Sequence, residues 1–275
     1  MTIAVCVKWS LPASGEDERF AGISLADQAA LEVGLTVAAS RGETVRVVTV
    51  APTSSERALR DAVACGASDA VRIDTGERPD SGSETLDSAT VASLLAGEVE
   101  DCSLVFCGDY SIDRGSGSVP AFVAARLGID QALGLVAIET SGSSLEVVRR
   151  LDGARREILR VTGRAVLSVE GSVARLRRAP LRSVLAADHH PMTVRSCNVD
   201  STRRWTPEAI APFRPRARVL PAPGGSSALD RVRHLTDAGG GPSRGETVEL
   251  PPDRAAARIV DALRDWGYLA PDGRP

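Results

Sequence analysis

Over its first two thirds this chain alternates short apolar runs rich in β-branched residues with helix-length amphipathic stretches, and that alternation restricts its possible folds more than any single motif. IAVCVK (residues 3–8) reads as a buried strand. SLADQAALEVGLTVAASRG (24–42) follows as a helix that Ser24 caps, with Asp27 three residues on as an approximate capping box and Gly42 as its stop. TVRVVTVAP (44–52) is a second strand. TSSERALRDAVACGA (53–67) is a second helix, with Thr53 and Glu56 as a capping box and Gly66 as the stop. DAVRI (69–73) is a third strand, DTGERPDSGSE (74–84) a polar loop and TLDSATVASLLAGEV (85–99) a helix. SLVFC (103–107) is a fourth strand and GSVPAFVAARLG (117–128) a further helix. Strands separated by helices of this length pair in parallel through right-handed crossovers, so a doubly wound parallel α/β sheet is expected.

After ALGLVAIE (132–139) the period changes. SLEVVRRLDGARREILRVTG (144–163) has two β-like arms joined at Asp152 and Gly153, a hairpin signal, and RAVLSVE (164–170) supplies one more apolar strand. An antiparallel hairpin edge therefore adjoins the parallel core. From Ala186 the chain turns rich in proline and glycine, as in APFRPRARVLPAPGGSS, and reads as an arm. The arm ends in DRAAARIVDALRDWGYL, where Ala256, Ile259, Val260, Leu263 and Trp266 share one helical face. A helix this short is marginal alone in water, so it is expected to dock on another subunit. The expected organisation is a nucleotide-binding domain over 1–185, an arm over 186–253 and a docking helix over 254–275.

Composition narrows the function classes. With 275 residues, 43% of them apolar, the chain can bury a large core, and a formal charge of −3 argues against a general nucleic-acid surface. Five cysteines, an odd number set mostly in apolar runs, fit reduced thiols better than a disulfide framework. Cys102 and Cys107 have no second pair to complete a zinc site. The amino-terminal segment MTIAVCVKWS lacks a basic region followed by a long apolar one, and a cytoplasmic location without a transmembrane segment is expected.

In open parallel sheets, ligands sit beyond the carboxyl ends of strands where the winding reverses. GDYSIDRGSGS (108–118) lies at such an end. Gly115, Ser116, Gly117 and Ser118 offer amides, two hydroxyls and the start of a helix, all favourable to a phosphate. Asp109 and Asp113 would repel a phosphate and suit a ribose, a base or the loop backbone better. No P-loop pattern occurs, and the single lysine, Lys8, stands elsewhere in the chain. The three histidines, His189, His190 and His234, lie in polar segments with no adjacent nucleophile, and no catalytic triad or metal set emerges.

Taken together, these segments resemble the beta subunit of the electron transfer flavoproteins, without large gaps from VCVK to about Met192. The resemblance rests on LADQAALE, VVTVAPTSSERALRDAVACGASDAVRI, LVFCGDYSIDRGSGSVPAFVAARLG and the hairpin VVRRLDG to REILRV with AVLS. It implies a Rossmann-like domain of the adenine nucleotide alpha hydrolase type and pairing with an alpha subunit that holds most of one FAD. It also implies a structural AMP in this chain. The implied AMP contacts are Cys6, then Ser24, Leu25, Ala26 and Asp27, then Val50, and the loop 109–120 with Asp109, Ile112, Asp113, Gly115, Ser116, Gly117 and Ser118. A recognition loop for the partner dehydrogenase is implied at RRAPLRSVLAADHHPM, with Leu181 as anchor and Val184 and Leu185 behind it; Trp266 would serve the subunit contact.

The implied role is that of an electron carrier, not an enzyme with its own acid or base: electrons pass from a donor dehydrogenase through FAD to a quinone-linked oxidoreductase. The chain departs from the family pattern in the proline and aromatic missing from SLADQ, in Pro120, in the end of the recognition segment, where AADHHP replaces a lysine-rich stretch, and in the long tail. These departures resemble a divergent actinobacterial type, associated with the redox cofactor mycofactocin. The alternatives are a nucleotide-binding regulator resembling the universal stress proteins, and a bifurcating flavoprotein with a second FAD in place of AMP.

Overall fold

A computed structural model of the chain describes residues 1–10, 21–76, 86–113, 115–152, 155–197, 226–235, 249–266 and 268. The chain divides into two compact units, Met1–Glu208 and Ala209–Pro275.

The first unit opens with β1 (Thr2–Cys6), then a two-stranded antiparallel ribbon of β2 (Trp9–Ser10) and β3 (Gly22–Ile23), then α1 (Leu25–Arg41) and β4 (Thr44–Val50). A 3-10 turn (Thr53–Ser55) leads into α2 (Glu56–Cys65) and β5 (Asp69–Asp74), followed by α3 (Ser88–Val99), β6 (Leu104–Gly108) and α4 (Val119–Leu127). Next come β7 (Asp130–Ser141), β8 (Ser144–Arg150), β9 (Arg156–Val161) and β10 (Ala165–Val169), and finally α5 (Leu181–Ala187) and β11 (Thr193–Ser196). The nine-stranded main sheet has the order β11-β5-β4-β1-β6-β10-β7-β8-β9. All pairings from β11 to β7 are parallel, and β7-β8-β9 is an antiparallel meander at one edge. The doubly wound sheet with a hairpin edge is therefore the observed architecture.

Helices cover both faces. Side chains alternate along β1, so Ile3 and Val5 enter a core with Ala29, Leu31 and Leu35 of α1, while Ala4 and Cys6 enter a second core with Leu95 and Val99 of α3 and Val123 of α4. Strands buried on both faces read as continuous apolar runs, and β10 is buried along its whole length. RAVLSVE thus lies inside the sheet, between β6 and β7.

The ends of the helices follow local chemistry, with one exception. The Asp27 amide donates to Ser24 Oγ at 3.0 Å, and Gly42 closes α1 at φ 64°. The Thr53 and Glu56 box does not form: Thr53 belongs to the 3-10 turn, α2 starts at Glu56, and the Glu56 carboxylate accepts from Arg72 Nε at 3.2 Å. Arg72 is buried in β5, and a buried guanidinium without partners costs far more than a missing cap, so it claims the carboxylate.

The domain was expected to end at residue 185, yet β11 adds an edge strand beside β5, with Val194 opposite Arg72. Three of its four residues are exposed, leaving no apolar pattern to announce it. In the second unit, α6 (Ala228–Leu235) stands inside the expected arm, with the Asp230 amide donating to Ser227 Oγ at 3.1 Å. The carboxyl-terminal helix, α7, spans Pro252–Asp265, and Ile259 and Trp266 are exposed. Most of the loop over 74–84 and of the arm, with Arg114, Gly153 and His234's side chain, lies outside the described residues. Among the described residues no helix is long and apolar enough to cross a membrane.

Close packing of α1 on β1 rests on Gly34, where an added Cβ would stand 2.6 Å from Val5 Cγ2. Gly34→Ala is expected to lower the stability of this unit by about 1–3 kcal/mol through overpacking, read from the urea midpoint.

Candidate functional site at the switch point

The chain winds from β1 outward through β4 to β5, then returns to lay β6 on the other side of β1. The two strands whose following connections diverge are thus β1 and β6, and their carboxyl ends, with Cys6 opposite Cys107, frame a crevice of the kind that receives ligands.

The segment after β6 is closed on itself by main-chain bonds. The Asp109 amide donates to the Val169 carbonyl of β10 at 3.0 Å, the Ser111 amide to the Ser116 carbonyl at 3.0 Å and the Gly115 amide to the Ser111 carbonyl at 2.8 Å. Gly115 takes φ 64°. At Gly117 a Cβ would sit 1.8 Å from the Asp109 carbonyl oxygen, so only glycine permits this return of the chain. Ser118 Oγ lies 2.9 Å from Ser88 Oγ, tying the loop to α3. The amides of Gly117 and Ser118 make no hydrogen bond to other described residues and lead directly into α4. That cradle, with the Ser116 and Ser118 hydroxyls beside it, fits a phosphate.

One buried carboxyl joins the elements around the crevice. Asp27 accepts from the Lys8 amide at 3.3 Å and from the amides of Ser24 and Gly108, linking β1, α1 and β6. A Cβ on Gly108 would come within 2.7 Å of Asp27 Oδ1, and one on Gly171 within 3.1 Å of the Ala26 amide nitrogen. Burial raises the Asp27 pKa from 3.8 to about 6, against the lowering effect of its amide donors. Leu25, beside it, is exposed.

Charge at the mouth is mixed. Lys8 Nζ meets both Asp113 oxygens, at 2.7 and 2.6 Å. Burial would raise the Asp113 pKa, but the Lys8 ammonium outweighs it and holds the carboxyl below its ordinary value. Asp109 is raised, first by burial and then by Glu170, whose own oxygens accept from Arg150 Nη2 at 2.6 Å. Lys8 is the site residue that sequence reasoning placed elsewhere. It is 105 positions from Asp113, and its only sequence signal is a cation just past the end of the first strand.

The other expected residues are distributed as follows. Cys6 and Cys107 are buried on adjacent strands, and a Cys6 hydrogen bond together with burial pushes the Cys107 thiol well up. All five cysteines are free, three of them buried. Val50 ends β4, two residues past the Val48 that pairs with Cys6, and Ile112 is exposed on the loop. No cluster of three metal-ligating side chains occurs among the described residues.

The segment expected as a recognition loop is helical over α5. It is fastened to α2 by Arg60, which donates to the Ala187 and Asp188 carbonyls at 2.8 and 2.6 Å. Leu181 is 73% exposed and Leu185 59%, against 37% for Val184. Leu185 therefore shares the solvent face with Leu181 instead of standing behind it, because helical residues four apart align.

Fold and site define a doubly wound α/β protein with a phosphate-compatible cradle at its switch point. Comparison with known proteins is specific: the family model for the electron transfer flavoprotein domain matches residues 16–199, and the chain belongs to that family. The electron transfer flavoprotein subunit beta of Mycobacterium tuberculosis (strain ATCC 25618 / H37Rv) is 30% identical over 151 residues, 54% of this chain and 55% of that protein. The subunit of the same name from Chromohalobacter salexigens is 26% identical over 220 residues, 78% of each chain, and Protein FixA of Azotobacter vinelandii 28% over 174 residues, 61% of each. The match spans about half the length of the mycobacterial subunits.

The raised Asp27 pKa sets a pH dependence. The folded state binds the proton more tightly than the unfolded chain, so this stabilisation is complete below pH 3.8 and is lost as pH rises through about 6. The loss is on the order of 2–3 kcal/mol. Asp27→Asn is expected to flatten the stability change between pH 4 and 7.5, followed by urea unfolding at both values.

Proposed function

We propose that this chain is the beta-type subunit of a heterodimeric electron transfer flavoprotein, accepting electrons from dehydrogenases through a shared FAD and passing them to a quinone-linked oxidoreductase. The observation that carries the reading is the switch-point cradle in a chain of the electron transfer flavoprotein domain family, in which Gly117 brings the loop back on Asp109 and leaves two amides open. In this reading the cradle holds AMP, with the Gly117 and Ser118 amides and the Ser116 hydroxyl toward the phosphate. Cys6 and Val50 line the adjoining strand ends, and Ser24–Asp27 set the floor. Asp109, Ile112 and Asp113 face the ribose and base side.

When bound, FAD supplies the electron-carrying chemistry, and most of it rests on the alpha subunit. This chain's residues bind, cover and orient; none has to hand over a proton. The nucleotide is structural, completing a crevice that otherwise exposes amides. Leu181, with Leu185 on the same face of α5 and Val184 beside them, docks the donor dehydrogenase, and Trp266 on α7 serves assembly with the alpha subunit. The lysine-free end AADHHP of the recognition segment and the long Pro/Gly-rich tail support a donor of the mycofactocin-linked kind. A cytoplasmic setting goes with this circuit.

Purification of the chain co-expressed with its alpha-type partner, followed by the flavin spectrum and chromatography of released nucleotide, is expected to give one FAD and one AMP per heterodimer. Two FAD would replace the reading with a bifurcating flavoprotein, and a flavin-free homodimer holding ATP would replace it with a regulator. Leu181→Ala is expected to slow electron acceptance from the donor roughly tenfold at unchanged FAD content, as for loss of one apolar anchor. Stopped-flow reduction measures it, and equal rates would remove Leu181 from the docking surface.

A further inference from the structure

The chain's only lysine is spent on the loop that forms the cradle. Its position is fixed from behind: the Lys8 amide donates to buried Asp27, the preceding Val7 amide donates to the Val48 carbonyl at 3.0 Å, and Thr49 Oγ1 donates to the Val7 carbonyl at 2.8 Å. From this anchored backbone the side chain crosses the switch point and grips both oxygens of Asp113. Asp113 sits within the turn closed by the Gly115 amide on the Ser111 carbonyl, four residues before Gly117, the first of the two open amides.

The electrostatic setting makes a cation here consequential. Asp109 and Glu170 already place acid at the end of β6 and β10, and Arg150 is occupied by Glu170. The Lys8 ammonium offsets a third carboxylate beside the cradle, and its grip on Asp113 adds a side-chain tie from β1 to a loop otherwise closed by main-chain bonds and by Ser118 on Ser88.

We propose that Lys8 is the positioning residue of the nucleotide site, pinning the loop after β6 through Asp113 and cancelling that carboxylate's repulsion of a bound phosphate. This deepens the AMP reading above and rests on it for the ligand, though not for the pin. The pair is partly exposed, with side chains 42% and 32% accessible, so it contributes little to global stability and its effect is local.

The test uses the full chain in complex with its partner subunit, with Lys8→Met, Lys8→Arg and the charge swap Lys8→Asp with Asp113→Lys. Deuterium exchange in a peptide covering 109–118 is expected to rise roughly three- to fivefold in Lys8→Met, with β4 and β5 unchanged, and to return toward wild type in Lys8→Arg and in the swap. AMP, titrated after removal of bound nucleotide, is expected to bind several-fold more weakly to Lys8→Met and to recover in Lys8→Arg. Unchanged exchange and unchanged AMP affinity in Lys8→Met would overturn the pin while leaving the AMP reading intact. Faster exchange in the loop of a protein whose wild type binds no AMP would uphold the pin and overturn the ligand. Exchange raised equally throughout the unit would overturn the positioning role in favour of a general structural one.

Discussion

The architecture around the crevice depends on one carboxyl group placed where water is almost absent. Asp27 lies in the first turn of α1, at the point where β1 and β6 part, and takes amide hydrogens from both strand ends and from its own helix cap. A strand pair that diverges leaves main-chain donors without ladder partners, and a buried donor without an acceptor is costly. A single side chain with two acceptor oxygens meets that need in the space that Gly108 keeps open, while Gly171 admits the start of α1 beside it. The requirement for the helix start, the switch point and the neighbouring loop to agree is thus concentrated at one residue, and its raised pKa reflects that confinement.

Around this buried acid the mouth of the site is arranged as a balance of partly exposed charges. Lys8 and Arg150 each neutralise one acid, while Asp109 is left against Glu170. The open amides are the groups least affected by that balance, because their direction is set by backbone geometry. A site built this way offers main-chain donors to a small anion and uses side-chain charges to hold the surrounding loop.

Electron transfer asks less of a chain than acid–base catalysis does. The protein must position a cofactor, tune its surroundings and bring partners close, and the reactive chemistry belongs to the cofactor. The proposed role fits a chain whose described polar groups are spent on caps, strand ends and ion pairs. In the proposed role partners are met through surfaces, and the exposed Leu181 and Leu185 side chains stand on a helix fastened by Arg60.

Sequence alone determined the alternation of strands and helices from β1 to α4 apart from the β2-β3 ribbon, the parallel core and the hairpin edge, because periodicity is local and the central strands are buried on both faces. It also marked the cradle, since glycines and serines between a strand and a helix carry a local conformational meaning. Tertiary structure decided everything that depends on distant partners. Lys8 reaches Asp113 only because β6 is laid beside β1; Glu56 leaves its cap because buried Arg72 arrives from β5; Leu185 joins Leu181 because α5 is helical; and β11 finds an edge that its four residues do not advertise. Each of these is a competition between a local preference and a long-range electrostatic, packing or pairing demand, and the outcome exists only once the chain has folded.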